Sequence, residues 1–125
     1  MKKFLLLQLI LFFVTGCFSK PDPKLFIGKY RSNQIDYNDS IFVNENKTYK
    51  HKYTTPKGKE FELEGTWEYD SVRMKIIFRD FVFFNNEGTD GLPPGNWISK
   101  VQIAEKGEVR LIYAEENNIY YYKKE

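Results

Sequence analysis

From Leu25 onward, the apolar residues of this chain recur at every second position rather than every third or fourth. Residues 60–69, EFELEGTWEY, show it most clearly. Phe61, Leu63, Gly65, Trp67 and Tyr69 fall on one side, and Glu60, Glu62, Glu64, Thr66 and Glu68 on the other. In residues 48–54, Tyr49, His51 and Tyr53 alternate with Lys50 and Lys52. A period of two marks a strand with one buried face and one wet face. Runs rich in aromatic and β-branched residues predict further strands at 26–30, 39–44, 73–84, 97–103, 108–114 and 118–123. Between them lie turn-forming clusters: Asn44-Glu45-Asn46-Lys47, Thr55-Pro56-Lys57-Gly58, Glu105-Lys106-Gly107 and Glu115-Glu116-Asn117-Asn118. Links this short favour antiparallel neighbours joined in order. No segment carries a helical period. The expected fold is all-β: a single antiparallel meander of about eight strands over residues 25–125, forming a small barrel or a strongly curled sheet. Closure would remove the exposed edges. A two-sheet sandwich uses the same number of strands and is the rival architecture.

The first 24 residues follow another plan. Met1-Lys2-Lys3 is cationic, Phe4 to Val14 is apolar except for Gln8, and Thr15-Gly16-Cys17 closes the segment with small residues. That is the layout of a secretory signal peptide. The apolar run is too short to cross a bilayer, which takes about 20 residues. Its ending, Val14-Thr15-Gly16-Cys17, resembles the bacterial lipobox. The resemblance implies that residues 1–16 are removed and that Cys17 carries diacylglycerol and usually an amino-terminal acyl chain. Phe18 stands where an aspartate would retain a lipoprotein in the inner membrane, which leans the expectation toward the outer membrane of a bacterial envelope. Residues 17–24, CFSKPDPK, carry two prolines and no periodicity and read as a tether.

This plan changes the charge argument. The formal net charge of +2 comes from Lys2 and Lys3, so the mature chain would be balanced, and nothing in its charge points to nucleic acid. Cys17 is the single cysteine. With it lipidated, no thiol remains for a disulfide, a metal or a nucleophile, and the domain must be held by its core. Because stable anchoring takes two acyl chains or more, the membrane would be a firm partner through Cys17.

Within the domain, Gly28-Lys29-Tyr30 opens the first strand, Asn46-Lys47-Thr48-Tyr49 leads from a turn into another, and Gly65-Thr66-Trp67 lies in a central strand. This order resembles the small lipocalin-like lipoproteins of bacteria, including the amino-terminal barrel of the copper-resistance lipoproteins. It covers about residues 26–79. The cysteine pair of the copper-resistance proteins is absent, so copper sensing is not implied. Lipocalins place Gly-x-Trp on the first strand and a basic partner on the last. Here Tyr30 takes the aromatic position, with Lys123 and Lys124 available as partners.

Candidate chemistry is sparse. There is no G-x-S-x-G elbow, no H-E-x-x-H and no phosphate-binding glycine loop. His51 is the only histidine, and it shares a face with Tyr49 and Tyr53. It reads as a hydrogen-bonded interior residue before a base or ligand. The glutamates of residues 60–68 read as a solvated face, with Lys50 and Lys52 able to pair across strands. The expected protein is therefore not an enzyme and needs no cofactor or metal.

The stretch from Asp80 to Trp97, DFVFFNNEGTDGLPPGNW, is long for a hairpin loop. It reads either as a recognition loop anchored by Trp97 or as a plug in which Leu92 covers one end. Asn85, Asn86, Glu87 and Asp90 supply oxygens, without the order of a calcium loop. Tyr49, His51, Tyr53, Trp67 and Trp97 are the candidate lining of a ligand cavity, or else the filling of a small barrel. Tyr120 and Tyr122 would stand outside as a contact surface. The expected function is non-catalytic binding of a small apolar ligand or an envelope component. The alternative is an interaction-only protein (an inhibitor, immunity factor or assembly subunit) with a solid core.

Overall fold

The computed structural model describes residues 21–34, 38–85, 87–89 and 91–123; Cys17, Asn86, Asp90 and Lys124 lie outside them. The chain enters through a 3₁₀ turn, Pro23–Phe26, capped by Asp22. The strands follow as β1 (Gly28–Ser32), β2 (Asn38–Val43), β3 (Thr48–Thr54), β4 (Glu60–Asp70), β5 (Lys75–Phe81), β6 (Phe84–Asn85), β7 (Gly88–Thr89), β8 (Gly95–Ile103), β9 (Val109–Ala114) and β10 (Ile119–Lys123). Eight of them close into an antiparallel barrel in the order β1-β10-β9-β8-β5-β4-β3-β2, while β6 and β7 form a separate small hairpin. The barrel resolves the choice between closure, curling and a sandwich.

The seam between β1 and β10 brings the two ends of the domain together. Tyr30 pairs with Lys123 and Ser32 with Tyr121. At the top of the seam the Asn33 carboxamide donates to Asn118 O at 2.7 Å and accepts the Tyr120 N–H at 3.0 Å. At the bottom, Lys123 lies across Gly28, and its Nζ donates to Leu25 O at 2.5 Å and Ile27 O at 3.1 Å. The Tyr30 hydroxyl donates to Phe26 O at 2.7 Å. Together these contacts tie the entry turn to the barrel floor, where buried Phe26 meets Tyr69 at 4.7 Å between ring centres.

Alternation places Tyr30, Ile41, Tyr49, Trp67, Ile76, Phe78, Trp97, Val109 and Leu111 inside, all buried. The lysines of β3 and the glutamates of β4 face out as expected, with Lys50 3.0 Å from Glu62 and 3.7 Å from Glu64. Exposed pairs of this kind are screened by water and contribute little, so the core carries the stability.

One predicted element is divided. The run 73–84 breaks because the register of β5 against β8 shifts between Phe78 and Phe81, and Asp80 adopts a left-handed φ of 57°. Such a bulge bends a strand and re-aims its next side chain. It turns Phe81 into the barrel, and Phe84 begins the small hairpin. Leu92 does not cover the barrel end: it is 69% exposed. Trp97 lies within the core, 5.0 Å from Phe78 in a stacked arrangement.

Candidate functional site

The barrel has two unlike ends. The lower end, where the chain enters at Gly28, is closed by Phe26. At the upper end a cleft of about 490 Å³ opens between the β1–β2 loop, the β6–β7 hairpin and the strand ends of β9 and β10; His51, Tyr53, Phe84, Tyr113 and Tyr121 are in its wall.

Asp39 organises this cleft. It lies on β2 at the inward parity shared by Ile41 and Val43, so the pleat carries a carboxylate toward the interior. Its Oδ1 is 2.7 Å from His51 Nε2. Its Oδ2 accepts the Tyr121 hydroxyl at 2.5 Å. A carboxylate only accepts hydrogen bonds, so Nε2 carries the proton, and in a neutral ring Nδ1 would be left as an acceptor. Nδ1 is buried and has no hydrogen-bond partner. Buried polar atoms without partners are uncommon because each costs about 1–3 kcal/mol.

Aromatic rings hold the imidazole in place. It stacks on Phe81 at 4.8 Å and meets the edge of Phe84 at 4.9 Å. Phe84 in turn stacks on Tyr53 at 4.6 Å, and the Tyr53 hydroxyl donates to Asn85 O at 2.8 Å. The hairpin is thereby fastened over the histidine. Burial, reinforced by the Asp39 charge and hydrogen bond, pushes the Tyr121 hydroxyl well above the ordinary tyrosine range. It therefore stays a donor to Asp39 at neutral pH.

Of the five residues named from sequence as a cavity lining, His51 and Tyr53 line this cleft, as do Asn85 and Glu87 from the oxygen-bearing loop. Tyr49, Trp67 and Trp97 are in the packed interior below it. The Trp67 Nε1–H donates to Asn44 O at 2.9 Å, and Lys47 Nζ stands 4.2 Å over its ring. Tyr120 and Tyr122 lie outside, half-buried, with ring centres 6.3 Å apart and Arg110 4.6 Å over Tyr120. Cys17, the lipidation candidate, is outside the described residues.

Sequence reasoning missed Asp39 and the meeting of Asp39 with Tyr121. A signal was present, since Asp39 shares parity with Ile41 and Val43, and a charge on an inward face calls for a partner.

The arrangement can orient an imidazole and offer one of its nitrogens to a bound molecule. Among the described lining residues there is no serine, threonine, cysteine or lysine to serve as a nucleophile. Among the described residues no three His, Cys, Asp or Glu side chains are grouped to hold a metal, and Asn85 Oδ1 instead accepts the Glu87 N–H at 2.9 Å. No helix among them is long and apolar enough to cross a membrane. Compared with protein families, curated proteins and solved structures, the chain matches none.

Proposed function

We propose that this chain is a lipid-anchored protein of the bacterial envelope, held by Cys17 and sorted to the outer membrane, whose barrel binds a small molecule in the upper cleft without transforming it. The observation that supports the reading most directly is the buried, unpartnered Nδ1 of His51. An oriented acceptor beside aromatic walls suits a ligand with an apolar body and one hydrogen-bond donor. The aromatic rings would supply the contact area and Nδ1 the specificity.

Native mass spectrometry of the detergent-solubilised chain purified from cells tests this. The expected result is an added mass that is lost on denaturation and absent from His51→Leu. A bare wild-type chain that gains no mass after incubation with envelope extract would overturn it.

A second reading has its own observation. Tyr49, Trp67, Phe78 and Trp97 fill the middle of the barrel, which leaves a solid body suited to protein contact. Tyr120, Tyr122 and Arg110 then form the contact surface, being of the residue types enriched where binding energy concentrates. Crosslinking to an envelope protein that is lost in Tyr120→Ala and kept in His51→Leu would favour this reading over the first.

A further inference from the structure

We infer that the lower end of the barrel docks on the surface of a lipid bilayer, so that the cleft opens away from the membrane; this rests on the reading that Cys17 carries lipid. Seven large apolar side chains are exposed among the described residues, and four are at this one end: Leu25 (36%), Val72 (84%), Met74 (45%) and Ile103 (45%). Single exposed apolar residues are ordinary, but a group of them at one end of a barrel marks a contact surface.

Each of the four is held where it is by the fold. Val72 is in the β4–β5 turn, where glycine, asparagine or serine is usual. The Asp70 carboxylate accepts the N–H groups of Val72 at 3.0 Å and Arg73 at 3.1 Å, so the turn presents the valine in a set direction. Met74, next along, takes a left-handed φ of 55°, a conformation uncommon outside glycine. Ile103 continues the inward series of Trp97, Ser99 and Val101 on β8 and is nonetheless 45% exposed at the rim. Leu25 points outward from the entry turn whose other apolar residue, Phe26, is the floor.

The occupant follows from the chain that precedes this end. Six residue steps separate Cys17 from Pro23, a reach of ~20 Å when fully extended. The 11 residues of β4 extend ~36 Å at the usual rise of a strand. A lipid on Cys17 therefore brings the lower end to the membrane first. In the loops at that end the charges balance, with Lys24, Lys47, Arg73 and Lys106 set against Asp22, Glu45, Glu105 and Glu108. The contact is accordingly apolar and indifferent to the charge of the lipid.

The test uses the lipidated chain, as processed by the cell, in phosphatidylcholine vesicles. The lipid occupies the only native cysteine, so Val72→Cys and, in the opposite-end turn, Lys57→Cys each take a single fluorescent label. The expected result is that the label at 72 loses intensity to a nitroxide placed near the lipid headgroup and is shielded from aqueous iodide. The label at 57 should behave in the opposite way, and the pattern should persist when phosphatidylglycerol is added. A label at 72 as open to iodide as that at 57 would overturn docking. So would one shielded from iodide yet untouched by the nitroxide, which would show a second copy or another protein covering this end. Flotation separates the two readings: a chain that does not float with the vesicles overturns the lipid anchor itself, and one that floats with residue 72 in water overturns docking alone.

Discussion

Tyr49 reaches across Gly65, its partner on the neighbouring strand, and donates its hydroxyl to Arg79 O at 2.7 Å. A Cβ at position 65 would be 2.3 Å from that carbonyl and 2.7 Å from the tyrosine ring. The glycine thus lets a backbone oxygen turn into the barrel, and the tyrosine satisfies it. Immediately after that oxygen the β5 register slips and Phe81 turns in beneath His51. A missing side chain on β4 therefore helps to set the floor of the cleft.

Gly65→Ala is expected to destabilise the domain by about 1–3 kcal/mol, toward the upper end because the nearest atom is backbone and cannot swing away. The urea midpoint should fall, and the His51 ring resonances should move with Phe81. A midpoint equal to wild type would show that the Arg79 carbonyl is not held over residue 65.

Asp39, His51 and Tyr121 should behave as one unit. Asp39→Asn and Tyr121→Phe each leave a buried group with a poorer partner, at a cost of about 1–3 kcal/mol. Because they remove the same hydrogen bond, the double variant should cost less than the two added together, with a coupling of about 0.5–3 kcal/mol. Additive losses in a double-mutant cycle would mean that the hydroxyl and the carboxylate do not depend on each other.

The barrel should lose stability in alkali. Burial raises the hydroxyls of Tyr30, Tyr49 and Tyr121, with Asp80 adding to the effect at Tyr49 and Asp39 at Tyr121. In the unfolded chain they ionise near pH 10. Below that value both states hold the protons and the contribution is fully present. Above it the unfolded state releases protons that the folded state keeps, so stability falls as pH rises toward the folded values. Denaturation followed from pH 8 upward should show the midpoint dropping above about pH 10, with phenolate absorbance from these tyrosines appearing only as the fold is lost. Their ionisation near pH 10 in a still-folded chain would contradict this.

Trp67→Ala distinguishes a filled barrel from a hollow one. Trp67 is 2% exposed and its indole N–H is used, so its removal should cost about 3–5 kcal/mol, a large share of a small domain's stability. Circular dichroism melting would register this as a large drop in Tm. A loss near 1 kcal/mol with altered ligand binding would place Trp67 on a cavity wall instead.

Much of the fold was legible because the side-chain period of a strand is a local property. Glu60–Asp70 needs only its own sequence to show which residues face in, and all eight barrel strands lie within a few residues of their predicted spans. The site was less legible. His51 and Tyr53 could be placed on an inward face, but their level in the barrel depends on strand stagger, and that separates the cleft from the packed interior holding Tyr49, Trp67 and Trp97.

By itself, the sequence determined the strand positions, the faces they bury, the balanced charge beyond the leader-like segment and the lipobox-like ending at Cys17. Each of these is written in residues close together along the chain. Only the tertiary structure decided that β1 and β10 close the barrel, that Asp39 meets Tyr121 across 82 positions, and that Phe84 rather than Leu92 lies over the interior. The physical reason is that closure, stagger and the bulge at Asp80 follow from fitting eight strands and their side chains into one shared volume, and no single stretch of sequence contains that constraint.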